Sequence, residues 1–255
     1  MKPLILMYHR IAELNAVDRY TVSPHQFSRQ MHYLRKHGYE VVSLSAMVDW
    51  LTANAALGER SVAVTFDDGY LDTFRHACPV LRENGFCATF FVISGLLGKT
   101  NSWMTGQGDC STPLMNWREV ETLRCEGFEI GSHTVTHRDL TAISPAAARH
   151  ELEISKRMLE DRLRAPVSLF AYPYGRYDDY ISQLVRDADY RAACVTAPGF
   201  VTPDADRHQL PRLEVAGTDS LQAFARKVKF GFNKFTGIDL MRYYGRRLAA
   251  SALGN

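Results

Sequence analysis

The stretch of sequence that indicates the fold most directly reads Val62-Ala63-Val64-Thr65-Phe66-Asp67-Asp68-Gly69. Its first five residues are apolar or β-branched, as is typical of a buried strand, and two adjacent aspartates and a glycine follow them. Similar apolar runs alternate with amphipathic helical patterns along the chain, and this order predicts a parallel sheet covered by helices. We therefore expect both carboxylates to lie at the carboxyl-terminal mouth of a strand.

Seven strands and seven helices are predicted from these patterns. The predicted strands are 4–8, 62–66, 88–93, 128–131, 168–172, 192–196 and 212–215. The predicted helices are 24–36, 44–53, 72–83, 117–126, 145–163, 178–188 and 220–230. This arrangement favours an α/β fold built as a distorted or incomplete (β/α) barrel over an open doubly wound sheet, and in such barrels the reacting groups lie at the carboxyl ends of the strands.

A second motif, Ser132-His133-Thr134-Val135-Thr136-His137, follows another short apolar run. It places two histidines four positions apart on a loop or a helical turn, and one turn of helix would aim both rings the same way. Two imidazoles and one carboxylate form a common ligand set for a catalytic divalent ion. We assign Asp68, His133 and His137 as the ligands. Taken singly, each motif also fits a plainer interpretation, a solvated acidic turn or a pair of surface histidines.

The neighbouring acid, Asp67, has no metal-binding role in this assignment. Side chains of an extended segment alternate between faces, so Asp67 should point away from Asp68. A free carboxylate beside a metal site can act as a general base toward an attacking water. The two motifs together therefore predict a metal-dependent hydrolase.

These motifs resemble those of the polysaccharide deacetylase family, whose domain hydrolyses N- or O-acetyl groups on carbohydrates, and the resemblance spans roughly residues 1–215. A third segment, Phe170-Ala171-Tyr172-Pro173-Tyr174-Gly175, is similar to the family segment that lines the acetyl pocket. This resemblance implies that the backbone N–H of Tyr174 helps to stabilise the oxyanion. The chain departs from the family at Ala171, where an arginine that braces the catalytic aspartate usually stands. Arg212 is our candidate to replace it.

Two histidines are candidates for the general acid, because the chain lacks the late Leu-x-His segment that supplies this residue in the family. The segment Met7-Tyr8-His9-Arg10-Ile11 resembles the amino-terminal Tyr-His element of permuted deacetylases, which act on poly-N-acetylglucosamine-type exopolysaccharides. We therefore expect His9 to be the acid and keep His208 as the alternative.

Composition sets further limits. The 255 residues carry a formal net charge of +2, which gives no reason to expect a nucleic-acid or polyanionic partner. The apolar run at the amino terminus is too short for the core of a signal peptide, so we expect a cytoplasmic protein. The cysteines show no metal-ligand spacing and are interpreted as reduced thiols. They are Cys78, Cys87, Cys110, Cys125 and Cys194.

We divide the chain into a catalytic domain, residues 1–230, and a basic, aromatic carboxyl-terminal tail, residues 231–255. Basic and aromatic residues alternate through the tail and the helix before it, a pattern that can rest on an anionic membrane surface. They are Lys227, Lys229, Phe230, Phe232, Lys234, Phe235, Arg242, Tyr243, Tyr244, Arg246 and Arg247. We expect either peripheral contact with the inner face of the membrane, or a last helix closing the barrel followed by a solvated end.

Three functions remain open from the sequence. The first is a metal-dependent N-deacetylase acting on an amino sugar in a glycan, an oligosaccharide or a lipid-linked precursor. The second is a metal-dependent hydrolase of a small cyclic amide or imide, and the third is a catalytically silent glycan-binding domain.

We expect zinc as the metal because of its availability, although the same ligands accept cobalt or nickel. Trp103, in an irregular loop over 99–115, either stacks on a sugar or only packs.

Overall fold

The computed structural model describes residues 2–13, 18–52, 55–106 and 109–233. Its strands are β1 (Leu4–Tyr8), β2 (Arg10–Ile11), β3 (Thr21–Val22), β4 (Glu40–Val42), β5 (Ser61–Phe66), β6 (Thr89–Val92), β7 (Glu129–Ser132), β8 (Leu169–Ala171), β9 (Ala192–Cys194) and β10 (Leu213–Glu214). Its helices are α1 (Pro24–Lys36), α2 (Leu44–Leu51), α3 (Leu71–Asn84), α4 (Trp117–Cys125), α5 (Pro145–Leu163), α6 (Asp179–Asp187) and α7 (Leu221–Phe230).

Seven strands form a parallel sheet in the order β10-β1-β5-β6-β7-β8-β9, and β4 pairs with the beginning of β5 as an eighth strand. The sheet curls, because Cys194 at one edge also pairs with Leu210, just ahead of the strand at the other edge. The expected distorted (β/α) barrel is confirmed. All seven predicted strands and seven predicted helices are present, with small differences at their ends.

Three strands were not predicted, namely β2, β3 and β4. Each has only two or three residues, which is too short to show a period of two along the sequence. The first two form a separate parallel pair.

Alternate residues of the strands belong to different apolar clusters. Val62, Val64 and Phe66 of β5 pack in the large cluster that includes apolar residues of α1, α3, α4 and α7. Ala63 belongs to an inner cluster that also contains residues of α2. By the same alternation Thr65, and Asp67 beyond the end of β5, share the inner face with Ala63. The strand thus directs Asp67 into the barrel.

Among the described residues, no helix combines the length and apolar composition that crossing a membrane requires. All five cysteines are free, and Cys78 and Cys194 are buried.

Candidate active site

Residues from separate parts of the chain meet at one mouth of the barrel. Asp67 and Asp68 directly follow β5, and His133 directly follows β7. Because these strands are parallel, their carboxyl ends lie at the same end of the barrel. His137 joins them from the loop after β7.

Asp68, His133 and His137 form a compact, buried cluster. The Oδ1 atom of Asp68 lies 3.4 Å from Nε2 of His133 and 3.3 Å from Nε2 of His137. The Nδ1 atom of His133 is 2.7 Å from the carbonyl oxygen of Ala171. A carbonyl only accepts, so Nδ1 carries a proton, and Nε2 is the nitrogen that faces the cluster and could bind a metal.

These donor atoms fit a divalent cation. Lone pairs of a carboxylate oxygen and of imidazole nitrogens converge in a site from which water is largely excluded, and Oδ1 of Asp68 has no hydrogen-bond partner in the described structure. Burial lowers the pKa of His133, but Asp68 and Asp67 outweigh it and raise that pKa above its ordinary value, whereas burial leaves the pKa of His137 lowered. One carboxylate and two imidazoles that converge in this way are a ligand set that a divalent cation fits.

The backbone at this cluster departs from the extended geometry expected at Asp68, and it decides between the loop and the helical turn that were both open for the histidines. Asp68 has a φ of 71°, so it does not continue the extended strand, and simple alternation of faces does not describe how it separates from Asp67. The segment between the histidines is a loop rather than a helical turn, with φ values of 69° at Thr134 and 60° at His137. Left-handed backbone at side-chain-bearing residues costs free energy and is held in place only by surrounding contacts.

Arg212 forms a bidentate salt bridge with the carboxylate of Asp67 inside the barrel. Nη1 and Nη2 of Arg212 donate to Oδ1 and Oδ2 of Asp67, each at 2.7 Å. Nε of Arg212 donates to the Val195 carbonyl and Nη1 also contacts the Thr65 hydroxyl, and the guanidinium is completely buried. Arg212 thus braces Asp67 while a fully buried alanine, Ala171, occupies the position where the family usually has arginine.

This contact sets the charge of the candidate base. Burial by itself would raise the pKa of Asp67, but the charge of Arg212, with smaller contributions from His133 and His9, holds the pKa of this carboxyl below its ordinary value. Asp67 is therefore ionised at neutral pH.

We predict that Arg212→Met destabilises the protein by about 3–5 kcal/mol, because it leaves the carboxylate of Asp67 buried without a counter-charge. Adding Asp67→Asn to Arg212→Met should recover much of that loss. Denaturant unfolding of the single and double variants measures both effects. Arg82→Met, which breaks the more exposed pair with Glu126, is the control and should cost no more than about 1 kcal/mol. Equal losses in the two single arginine variants would contradict the prediction.

His9 and Tyr174 also lie at the mouth. His9 follows β1, whose last residue pairs with Phe66 immediately before Asp67, and its charge contributes to lowering the pKa of both aspartates. The Tyr174 ring lies 4.7 Å from the His137 ring and is 44% exposed. Trp103 contacts His137 from another direction, also with 4.7 Å between ring centroids. Aromatic side chains therefore border the cluster where a substrate would enter.

His208 lies elsewhere. It is buried, its Nε2 atom is 2.8 Å from the carbonyl oxygen of Tyr190, and its Nδ1 atom contacts Arg186. Tyr190 precedes β9, so this histidine sits near the amino-terminal end of the strands, opposite the mouth. The structure does not bring His208 to the cluster.

One residue at this site, Glu151, is not marked by any motif in the sequence. Glu151 of α5 binds the loop between the histidines, but on the sequence it is one of several charged residues in a helical pattern.

Comparison with known proteins agrees with this geometry. The sequence profile of the family described as Polysaccharide deacetylase matches residues 54–193. YxkH of Bacillus subtilis (strain 168), a protein named for this family, is 27% identical over 225 residues, which cover 88% of this chain and 75% of YxkH. The poly-β-1,6-N-acetyl-D-glucosamine N-deacetylase of Staphylococcus aureus (strain MRSA252) is 23% identical over 235 residues, covering 84% of this chain and 78% of that enzyme.

A solved structure shows the same architecture. The Streptococcus pyogenes deacetylase PplD, determined in complex with acetate, superposes with a TM-score of 0.77 at 26% identity and covers 89% of this chain and 98% of its own. The family profile begins after β1 and His9, so the His9 element lies ahead of the matched region, as the resemblance to permuted deacetylases implies. On the extent of the profile match and this shared fold, the chain belongs to the polysaccharide deacetylase family.

Proposed function

We propose that this deacetylase removes N-acetyl groups from an amino sugar of the N-acetylglucosamine type, in a polysaccharide, an oligosaccharide or a lipid-linked precursor, with zinc as its metal. The observation that carries the proposal is the buried Asp68, His133 and His137 cluster beside the Asp67–Arg212 pair. The similarity to an enzyme named as a poly-β-1,6-N-acetyl-D-glucosamine N-deacetylase supports the substrate class.

The protein side chains have separate roles in this proposal. Asp68, His133 and His137 would hold a divalent cation, which when bound would supply Lewis-acid chemistry toward a water and the acetyl carbonyl. Asp67 accepts the proton of the attacking water, and Arg212 keeps its carboxylate ionised and oriented. The backbone N–H of Tyr174 assists at the oxyanion. His9 donates a proton to the departing sugar amine, which is a poor leaving group without one.

The aromatic border favours a sugar as the substrate. Trp103 and Tyr174 both contact the His137 ring, and the Tyr20 ring lies 5.2 Å from the His9 ring with 48% of Tyr20 exposed. Aromatic faces bury the apolar face of a pyranose while its hydroxyls stay solvated.

Acetate release from a panel of N-acetylated amino sugars, with and without a chelator, tests the proposal. We expect release that a chelator removes and added zinc restores. A small cyclic imide belongs in the same panel, because hydrolysis of the imide without release of acetate would favour the second hypothesis from the sequence. Release that persists after complete removal of metal would contradict the metal-dependent chemistry.

The role of His9 predicts a selective defect. His9→Ala should strongly reduce amide hydrolysis and spare an activated aryl acetate, because a phenolate leaves without a proton. Rates on an N-acetyl sugar and on the aryl acetate measure this ratio, with metal content as a check. His208→Ala is the control. It removes buried hydrogen bonds and should lower stability, but it should not change the ratio of amide to ester turnover. Wild-type amide turnover in His9→Ala would refute the assignment.

The carboxyl-terminal tail and the location of the protein complete the proposal. We place the end of the catalytic domain at residue 230, where α7 ends after packing through Phe224 and Val228. Residues 234–255 of the tail lie outside the described residues. We propose a cytoplasmic enzyme whose tail contacts the inner membrane surface. Co-sedimentation with anionic liposomes, with and without residues 231–255, tests this, and equal binding of both forms would exclude it.

A further inference from the structure

Glu151 lies in the second turn of α5 and turns its carboxylate toward the loop that joins the two histidines. Its Oε2 atom accepts hydrogen bonds from the backbone N–H of Val135 at 2.8 Å and of Thr136 at 2.9 Å. The hydroxyl of Thr136 donates to Oε1 at 2.5 Å. The side chain is buried, with 8% of the residue exposed. The buried carboxylate of Glu151 thus accepts three hydrogen bonds from one loop.

The loop needs such contacts because its own backbone is unfavourable. Thr134 and His137 both have positive φ, and each such residue costs on the order of 1–3 kcal/mol. The far side of the loop is bound through the N–H groups of Ser94 and Gly95, which donate to the carbonyls of Thr134 and Val135. Gly95 has no room for a side chain there, since a Cβ would lie 2.6 Å from the Val135 oxygen. Glu151 holds the opposite side.

Glu151 contacts the loop directly ahead of His137 through Val135 and Thr136. These hydrogen bonds fix the two peptide planes ahead of the one that joins Thr136 to His137, whose N–H donates to the Thr134 hydroxyl. Together these contacts fix where the His137 ring points. Without them, the strained φ at His137 can relax and carry Nε2 away from Oδ1 of Asp68.

We propose that Glu151 is a positioning residue of this deacetylase, which holds the histidine loop in the shape that presents His137 to a divalent cation. The inference rests on the proposed metal site. Partners that orient metal ligands from outside typically change metal affinity by about 10- to 100-fold when they are removed. Glu151 does so through the backbone of the loop rather than by contact with the imidazole.

Metal affinity and amide exchange test the proposal together. In Glu151→Ala we expect zinc affinity, measured by competition with a chromophoric chelator, to fall about 10- to 100-fold. In the metal-free protein the amide hydrogens of Val135 and Thr136 should exchange faster. Glu151→Gln should stay close to wild type in both measurements, because its amide oxygen can accept from both N–H groups while its NH₂ donates to the Thr136 hydroxyl.

Glu153→Ala is the matched control, since Glu153 lies on the same helix and forms an exposed pair with Arg149. It should leave zinc affinity and exchange unchanged. Glu151→Asp, which withdraws the carboxylate by one methylene, replaces the alanine variant if the latter does not fold, with the same loss expected.

Wild-type zinc affinity in Glu151→Ala would overturn the proposal, as would unchanged exchange at Val135 and Thr136. A purely structural role would lower the melting temperature without changing zinc affinity in the folded protein, and this result would also overturn it. A wild-type protein that binds no divalent cation would instead refute the proposed metal site. The exchange at these two amides would then still decide whether Glu151 holds the loop.

Discussion

The double variant His133→Ala/His137→Ala is expected to lose both bound metal and deacetylation while it keeps the fold. The two rings contribute Nε2 atoms 3.4 Å and 3.3 Å from Asp68 Oδ1, and without them a single carboxylate remains at the site. One carboxylate does not hold a catalytic divalent ion against water. Mass spectrometry of the purified protein measures metal content, and circular dichroism checks the fold.

The fold should survive because the rings are not part of the large apolar clusters that connect the sheet to its helices. His150→Ala, which changes an exposed histidine on α5, controls for nonspecific loss and should retain metal and activity. A full equivalent of metal in the double variant would refute the ligand assignment.

The second large effect distinguishes the roles of the two adjacent aspartates, Asp67 and Asp68. Asp67→Asn should retain the metal and lose about 10²- to 10⁴-fold in turnover, the range that general-base catalysis usually supplies. The asparagine still offers one oxygen to Arg212, but it cannot take a proton from water. Acetate release and metal content are measured on the same sample, and thermal unfolding shows how much stability the weakened Arg212 contact removes.

Asp68→Asn should behave in the opposite way. Loss of the carboxylate charge weakens metal binding, so the variant should be largely metal-free as isolated and should regain part of its activity in excess zinc. The two variants differ by one position and by no change in size, so each serves as the control for the other. If both lose metal to the same extent, the separate roles assigned to Asp67 and Asp68 are wrong.

The ligand set could be proposed from the sequence because its members lie in two short segments at the ends of apolar runs. Parallel strands bring their carboxyl ends together, so Asp68 and His133 were expected to meet without knowledge of any other contact. The local backbone could not be proposed in the same way. Asp68 and His137 have positive φ, which is uncommon for residues other than glycine, so neither the extended geometry assumed at Asp68 nor a choice between loop and helical turn after β7 could be decided from the sequence.

The contact between Arg212 and Asp67 could not be derived from the sequence, because the two residues lie far apart in the chain. Arg212 lies 145 positions from Asp67, and the pairing of β10 with β1, which in turn pairs with β5, brings the segment ahead of β10 within reach of Asp67. Its candidacy came from the missing arginine at Ala171. The paired contact, the burial and the other hydrogen bonds of the guanidinium are properties of the closed barrel.

By itself, therefore, the sequence determined the succession of strands and helices along the chain, the barrel class, the family and the segments proposed to hold a metal, because hydrophobic period and strand-end motifs are local signals. Tertiary structure decided which arginine braces the base, that His208 faces the opposite end of the barrel, and that Glu151 binds the histidine loop. Each of these contacts joins side chains or backbone groups far apart in the chain. A charged residue in a helical pattern does not indicate which loop it will contact, because that contact depends on how the whole sheet packs against its helices.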